Sequence, residues 1–130
     1  MEVEEHNEAW RILIVEDDER LADLTKEYLE SNGLVVSVEA NGTHAVDRII
    51  NEKPDLVVLD LMLPGEDGLS ICRRLRQQNN NIPIVMLTTQ SSPELKAKGK
   101  ECGVIAWVTK PYKSKTILGG IEKILSRKSA

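Results

Sequence analysis

The stretch Asp55–Gly68, DLVVLDLMLPGEDG, constrains the fold more than any other part of the chain. Leu56–Leu59 is an unbroken apolar run, and such a run reads as a strand buried on both faces. Pro64, Gly65 and Gly68 follow at once, so the strand stops and a turn begins. A strand buried on both faces belongs to a parallel sheet covered by helices on each side. Asp60 stands at the C-terminal end of the run, where open α/β sheets bind ligands. An isolated Asp before a turn also serves as a turn cap, so Asp60 must be judged against the rest of the chain.

The same pattern recurs along the sequence. Arg11–Val15 (RILIV) is an apolar strand that ends on Glu16, Asp17 and Asp18. Leu21, Leu24, Tyr28 and Leu29 predict an amphipathic helix over Asp18–Asn32, capped by Asp18 and left through Asn32-Gly33. Leu34–Val38 is a short strand and Asn41-Gly42 a turn. Thr43 is placed to cap the next helix, which carries Ala45, Val46, Ile49 and Ile50 on one face and stops at Pro54. After the central strand, Asp55–Leu59, the residues Leu69, Cys72 and Leu75 mark a helix over Asp67–Gln78. Pro83–Thr88 is a fourth strand that ends on Thr88 and Thr89. Pro93–Cys102 is a weak helix, because Leu95 is its only bulky apolar residue and Gly99 sits inside it. Gly103–Thr109 is a fifth strand ending on Lys110-Pro111. Ser114–Arg127 is a helix with Ile117, Leu118, Ile121, Ile124 and Leu125 on one face.

Strict alternation of strand and helix with short connections means a five-stranded parallel sheet wrapped by helices on both faces. The length of 130 residues suits one domain, read as 11–127 after a loose polar tail at 1–10. No apolar run approaches the ~20 residues of a membrane span, and no secretory leader is visible. Cys72 and Cys102 lie in helical stretches without zinc spacing. They fit a reducing, cytoplasmic setting better than a disulfide scaffold. The net charge of −4 is uneven, with acids crowding the first half and Lys and Arg the second. The basic residues have little aromatic company and no helix-turn-helix or zinc-finger spacing, which argues against nucleic acid as a partner of this domain.

In a parallel sheet all strand C-termini share one edge. Glu16 and Asp17 end the first strand, Asp60 the third, Thr88 the fourth and Lys110 the fifth. Clustered carboxylates repel and are tolerable mainly around a hard cation such as Mg²⁺. A lysine beside them implies an additional anion, and a threonine hydroxyl can donate to one of its oxygens. A carboxylate that attacks phosphorus forms an aspartyl phosphate, whose charged oxygens Mg²⁺, Lys110 and Thr88 would share.

These residues resemble a response-regulator receiver domain of two-component signalling. The matching pieces are ILIVEDDE (Ile12–Glu19), DLVVLDLMLPGEDGL (Asp55–Leu69), PIVMLTT (Pro83–Thr89) and WVTKPY (Trp107–Tyr112), in order over nearly the whole chain. The resemblance implies a flavodoxin-like fold with strand order 2-1-3-4-5. It implies that Asp60 is the phosphoacceptor, becoming 4-aspartylphosphate. It makes Glu16, Asp17, Asp60 and the backbone carbonyl of Met62 the ligands of Mg²⁺, with Mn²⁺ as an alternative. Thr88 becomes the switch hydroxyl, Lys110 the phosphate-binding lysine and Trp107 the switch aromatic, and the Lys110-Pro111 bond is expected to be cis.

The implied donor is a phosphohistidine on a sensor histidine kinase or a phosphotransfer protein. The domain would catalyse only its own phosphorylation and dephosphorylation. Output would pass to a downstream protein, or a second copy of the chain, through the fourth helix, fifth strand and fifth helix. No output domain is seen in this chain, which is read either as a stand-alone regulator or as a piece of a longer protein. Thr89 stands where the family usually has Ala or Gly, and Tyr112 where it usually has Phe. Apolar Met62 and neutral Gln90 cannot orient an attacking water strongly, so a phosphorylated state lasting minutes or longer is expected.

Two other function classes were open on the residues alone. A phosphohydrolase with an aspartate nucleophile usually has a second Asp two residues on, where this chain has Met62. A receiver-like binding module that is never phosphorylated would have lost an acid, the threonine or the lysine, and all are present.

Overall fold

The computed structural model describes residues 9–90 and 92–129. Among them, strands and helices alternate as β1 (Arg11–Val15), α1 (Glu19–Ser31), β2 (Val35–Glu39), α2 (Gly42–Glu52), β3 (Leu56–Asp60), α3 (Gly68–Gln77), β4 (Ile84–Thr88), α4 (Pro93–Glu101), β5 (Ala106–Thr109) and α5 (Ser114–Ser129). The strands form one parallel sheet in the order β2-β1-β3-β4-β5, the flavodoxin-like arrangement that the sequence led us to expect.

The pleat divides the core in two. Ile12, Ile14, Leu56, Val58, Val85 and Leu87 face α1 and α5, where they meet Leu29, Ile117, Leu118, Ile121 and Leu125. Leu13, Val15, Val57, Leu59, Ile84 and Met86 face the other way, against Ala45, Val46 and Ile49 of α2 and Ile71, Cys72 and Leu75 of α3. Every residue of β3 and β4 is buried, as expected for the middle of a doubly covered sheet. Each such Leu, Ile or Val contributes about 1.5–3 kcal/mol by leaving water.

Local chemistry sets the helix ends. Asp18, Asp67 and Ser92 cap α1, α3 and α4, each accepting a backbone N–H three residues on, and Pro93 opens α4 where its missing N–H costs nothing. For α2 the expected cap was Thr43. The structure uses Asn41 instead, whose side chain accepts the Thr43 N–H at 2.7 Å. Gly42 then takes the first helical position, because the backbone of Glu66 lies where a Cβ would go.

The inner face of α1 also differs from the expected one. Ala22, Thr25 and Leu29 are buried, while Leu24 points to solvent at 60% exposure. Ile50 is likewise largely outside the α2 face. Strands β2, β3, β4 and β5 begin later than expected, β5 at Ala106 rather than Gly103, and α5 runs on to Ser129. Of the expected tail, residues 1–8 lie outside the described residues. Trp10 is half-buried against the α1/α5 core, and its carbonyl accepts the Val35 N–H at 2.9 Å.

Gly68 joins the fold to the sheet edge. Its N–H bonds the Leu61 carbonyl at 2.9 Å, and a Cβ there would lie 2.7 Å from the Asp60 carbonyl oxygen and 2.9 Å from Met86 Sδ. Backbone cannot yield as a flexible side chain does, so α3 can start this close to β3 only with glycine. Gly68→Ala is expected to lower the unfolding free energy by about 2 kcal/mol, the usual scale of overpacking. Equilibrium urea denaturation checks this, and an unchanged midpoint would show that the start of α3 tolerates a side chain there.

Candidate functional site

The site lies at the C-terminal edge of the sheet. Chain reversal after β1 leaves Glu16 buried and Asp17 exposed, and Asp60 is buried at the end of β3. One carboxylate oxygen from each of the three lies within 4.8 Å of the others. Lys110, following β5, reaches back over the edge. Its Nζ donates to Asp60 Oδ2 at 2.8 Å and stands 2.6 Å from Glu16 Oε1. Four of the residues that sequence placed at strand ends are thus brought together.

Backbone donors hold the carboxylates in place. Asp60 Oδ1 accepts the Met62 N–H at 3.0 Å, and Glu16 Oε2 accepts the Asp18 N–H at 3.1 Å. The loop after Asp60 is docked on the start of α2, where the Gly42 N–H bonds the Pro64 carbonyl at 3.0 Å. Gly65, with φ +87°, lies so close to Thr43 and Asn41 that a side chain would not fit. On the far side the Lys110 N–H bonds the Thr88 carbonyl at 2.8 Å, and the Lys110-Pro111 bond is cis, as the resemblance implied.

Thr88 and Trp107 occupy different ground. Thr88 is buried at the end of β4, and its hydroxyl oxygen accepts the Gln90 N–H at 2.8 Å. Trp107 pairs with Met86 in the β4–β5 ladder and packs against the α2/α3 core. Its indole rests directly on Gly99, the buried residue of α4. Reading Gly99 only as a weakness in a helix missed this, since the glycine is also the floor on which the ring sits. Met62 exposes 57% of its surface beside Asp60.

The charges do not balance within the cluster. Burial, then a hydrogen bond with Asp60, pushes the Glu16 carboxyl up to about 7, against the pull of Lys110 and the Asp18 N–H. Burial works to lower Lys110, but its hydrogen bond to Asp60 and its close pairing with Glu16 outweigh that and hold it above the ordinary lysine value. The 2.6 Å contact between Glu16 Oε1 and Nζ is an ion pair without the angle of a hydrogen bond, so this buried oxygen has no hydrogen-bond donor among the described residues. Three close carboxylates with one buried oxygen unsatisfied form a hard, all-oxygen donor set, which suits a small divalent cation.

Sequence reading also missed Thr25. Its hydroxyl donates to the Leu21 carbonyl at 2.9 Å and lies 2.9 Å from the Tyr112 hydroxyl, two residues beyond Lys110. The available signal was a Thr in a helix beside an apolar face, together with a Tyr in place of Phe.

The family model described as response regulator receiver domain matches residues 12–122. The response regulator MprA of Mycobacterium sp. (strain KMS) is 36% identical over 119 residues, which cover 92% of this chain and 52% of that protein. The chain spans about half the length of the curated relatives it matches. Among solved structures, the Francisella response regulator 1452 receiver domain matches with a TM-score of 0.86 and 30% identity, covering 91% of this chain and 98% of that one. The BeF3-activated N-terminal receiver domain of Klebsiella pneumoniae RstA matches with a TM-score of 0.78 and 38% identity, covering 86% and 95%.

The raised Glu16 carboxyl has a consequence for stability. The folded state binds this proton more tightly than the unfolded chain does, because the folded pKa of about 7 exceeds the ordinary 4.5. The stability it contributes is full below the ordinary value and is lost as pH rises through the folded one. In chelator, the melting temperature of the wild type relative to Glu16→Gln is therefore expected to fall between about pH 4.5 and 7. A difference that stays flat across that window in thermal melts would contradict the assignment.

Proposed function

Because the chain belongs to the response-regulator receiver domain family, we propose that it accepts a phosphoryl group on Asp60. The family is one of signalling domains rather than classical enzymes. The observation that carries the proposal is the convergence of Glu16, Asp17 and Lys110 on Asp60.

In this reading one Asp60 oxygen attacks the phosphorus of a phosphohistidine on a sensor histidine kinase or phosphotransfer protein. The P–N bond breaks, and the histidine leaves with the electron pair and takes up a proton. Glu16, Asp17, Asp60 and the Met62 carbonyl would hold Mg²⁺, which supplies charge neutralisation for the incoming oxygens when bound. Lys110 trades its bond with Asp60 for a transferred phosphoryl oxygen. The Thr88 hydroxyl proton is directed to another, pulling on the loop that Gln90 begins.

Output follows from what Thr88 is attached to. Thr88 and Trp107 flank α4 on neighbouring strands, and α4 carries Lys96, Lys98 and Lys100 around a single half-buried leucine, Leu95. An element with so little buried apolar surface moves at low cost. The face built from α4, β5 and α5 would then change shape and engage an acidic partner or a second copy of the chain. Met62 and Gln90 beside the site give a water little help, which favours a phosphorylated state lasting minutes or longer.

Incubation with acetyl phosphate and Mg²⁺ should add one phosphoryl group, seen by intact mass and localised to Asp60. Asp60→Asn should abolish it, and Lys110→Ala or Asp17→Ala should slow it severely. Label that persists in Asp60→Asn would remove Asp60 from its role.

The switch has its own handle in Trp107, read in a Trp10→Phe background. Phosphorylation should alter its emission as α4 shifts under the ring, and Thr88→Ala should uncouple that change while Asp60 still reacts. Unchanged emission together with unchanged hydrogen exchange over residues 92–112 would place the switch elsewhere.

A further inference from the structure

The Tyr112–Thr25 hydrogen bond joins two parts of the site that are far apart in sequence. Thr25 is fully buried on the inner face of α1, and its side chain donates to the Leu21 carbonyl at 2.9 Å. With that proton committed, the remaining contact, 2.9 Å to Tyr112 Oη, has Tyr112 as donor. Burial pushes the Tyr112 phenol above its ordinary value, which keeps the hydroxyl protonated and able to donate. A threonine is a poor choice for a buried mid-helix position on packing and propensity alone, since its hydroxyl must be satisfied. The ring of Tyr112 already packs against the α1/α5 core, so the hydroxyl adds a directed link to a contact that needs none for burial.

That link runs between the two halves of the charge cluster. Asp18 caps α1, and its N–H holds Glu16 Oε2 at 3.1 Å, so α1 and the Glu16 carboxylate move together. Tyr112 lies two residues after Lys110, whose own N–H is bonded to the Thr88 carbonyl at 2.8 Å. The lysine is therefore suspended between β4 on one side and α1 on the other.

We propose that Tyr112 and Thr25 are a positioning pair for Lys110, a part-buried hydrogen bond that fixes the ammonium between Glu16 and Asp60 for phosphoryl transfer. The pair touches neither the phosphodonor nor the metal ligands. It acts through the loop that carries the lysine, and it rests on the reading of Asp60 as phosphoacceptor.

The test is the rate of phosphorylation by acetyl phosphate at saturating Mg²⁺, followed by intact mass, with the Mg²⁺ midpoint measured alongside. Tyr112→Phe and Thr25→Val should each slow the reaction about fivefold, the scale of one lost hydrogen bond. Thr25→Ser keeps the hydroxyl and should restore the wild-type rate. The double variant Thr25→Val/Tyr112→Phe should be no slower than either single one, because both remove the same bond. The Mg²⁺ midpoint should stay put in all of them. Wild-type rates in both single variants would overturn the pair alone. Additive slowing, or slowing with a shifted Mg²⁺ midpoint, would also overturn it, by revealing a general loosening of the pocket. A wild-type protein that takes no phosphoryl group would overturn the underlying reading, and the pair with it.

Discussion

The Lys110 ammonium stands 2.6 Å from Glu16 and 2.8 Å from Asp60, with Asp17 close by. One positive charge faces three carboxylates, two of them buried. At separations of a few ångströms such like charges cannot all stay ionised in a poorly solvated place without help. The protein's own solution is partial: Lys110 bridges two of the acids, backbone N–H groups hold their free oxygens, and the Glu16 carboxyl is pushed up towards neutrality. What is left over is an oxygen-lined cluster that suits a further positive charge, and Asp60 and Glu16 are both tied to Lys110.

The sheet makes this arrangement possible and keeps it stiff. Parallel strands end side by side, so residues separated by dozens of positions meet without any local turn having to bring them there. The buried runs behind them allow little give, since every residue of β3 and β4 is covered on both faces. Close packing extends to the loops: Gly68 admits α3 against β3, and Gly42 and Gly65 admit the loop after Asp60 against α2. By contrast α4 has a glycine as its buried residue and a tryptophan ring lying on it. The tightly packed edge and the sparsely packed α4 beside it are what the proposed switch would draw on.

Most of this was legible in the sequence, for a definite reason. Where an apolar run stops, a strand stops, and in an alternating chain all the stops share an edge. That rule alone placed Glu16, Asp17, Asp60, Thr88 and Lys110 together in expectation, and the structure brings the three acids and the lysine into contact. The misreadings came from features that hydrophobicity does not encode. Leucine spacing chose Leu24 for the inner face of α1, but the helix turns Ala22 and Thr25 inward with Leu29, and Thr25 meets in Tyr112 a partner that no local pattern reveals. Asn41 rather than Thr43 caps α2, and Gly42 beside it is required by Glu66, more than twenty positions later, whose backbone crowds the start of the helix. Gly99 read as a defect because its use depends on a ring eight residues on and one strand across.

The central claim is that Glu16, Asp17 and Asp60 form one cation site that competes with a proton. Calorimetric titration with Mg²⁺ at pH 6.5, in two buffers of different ionisation enthalpy, measures both parts at once. The expected result is a single Mg²⁺ per chain, with fractional proton release that disappears in Glu16→Gln. Absence of binding heat, or binding without proton release in the wild type, would contradict it.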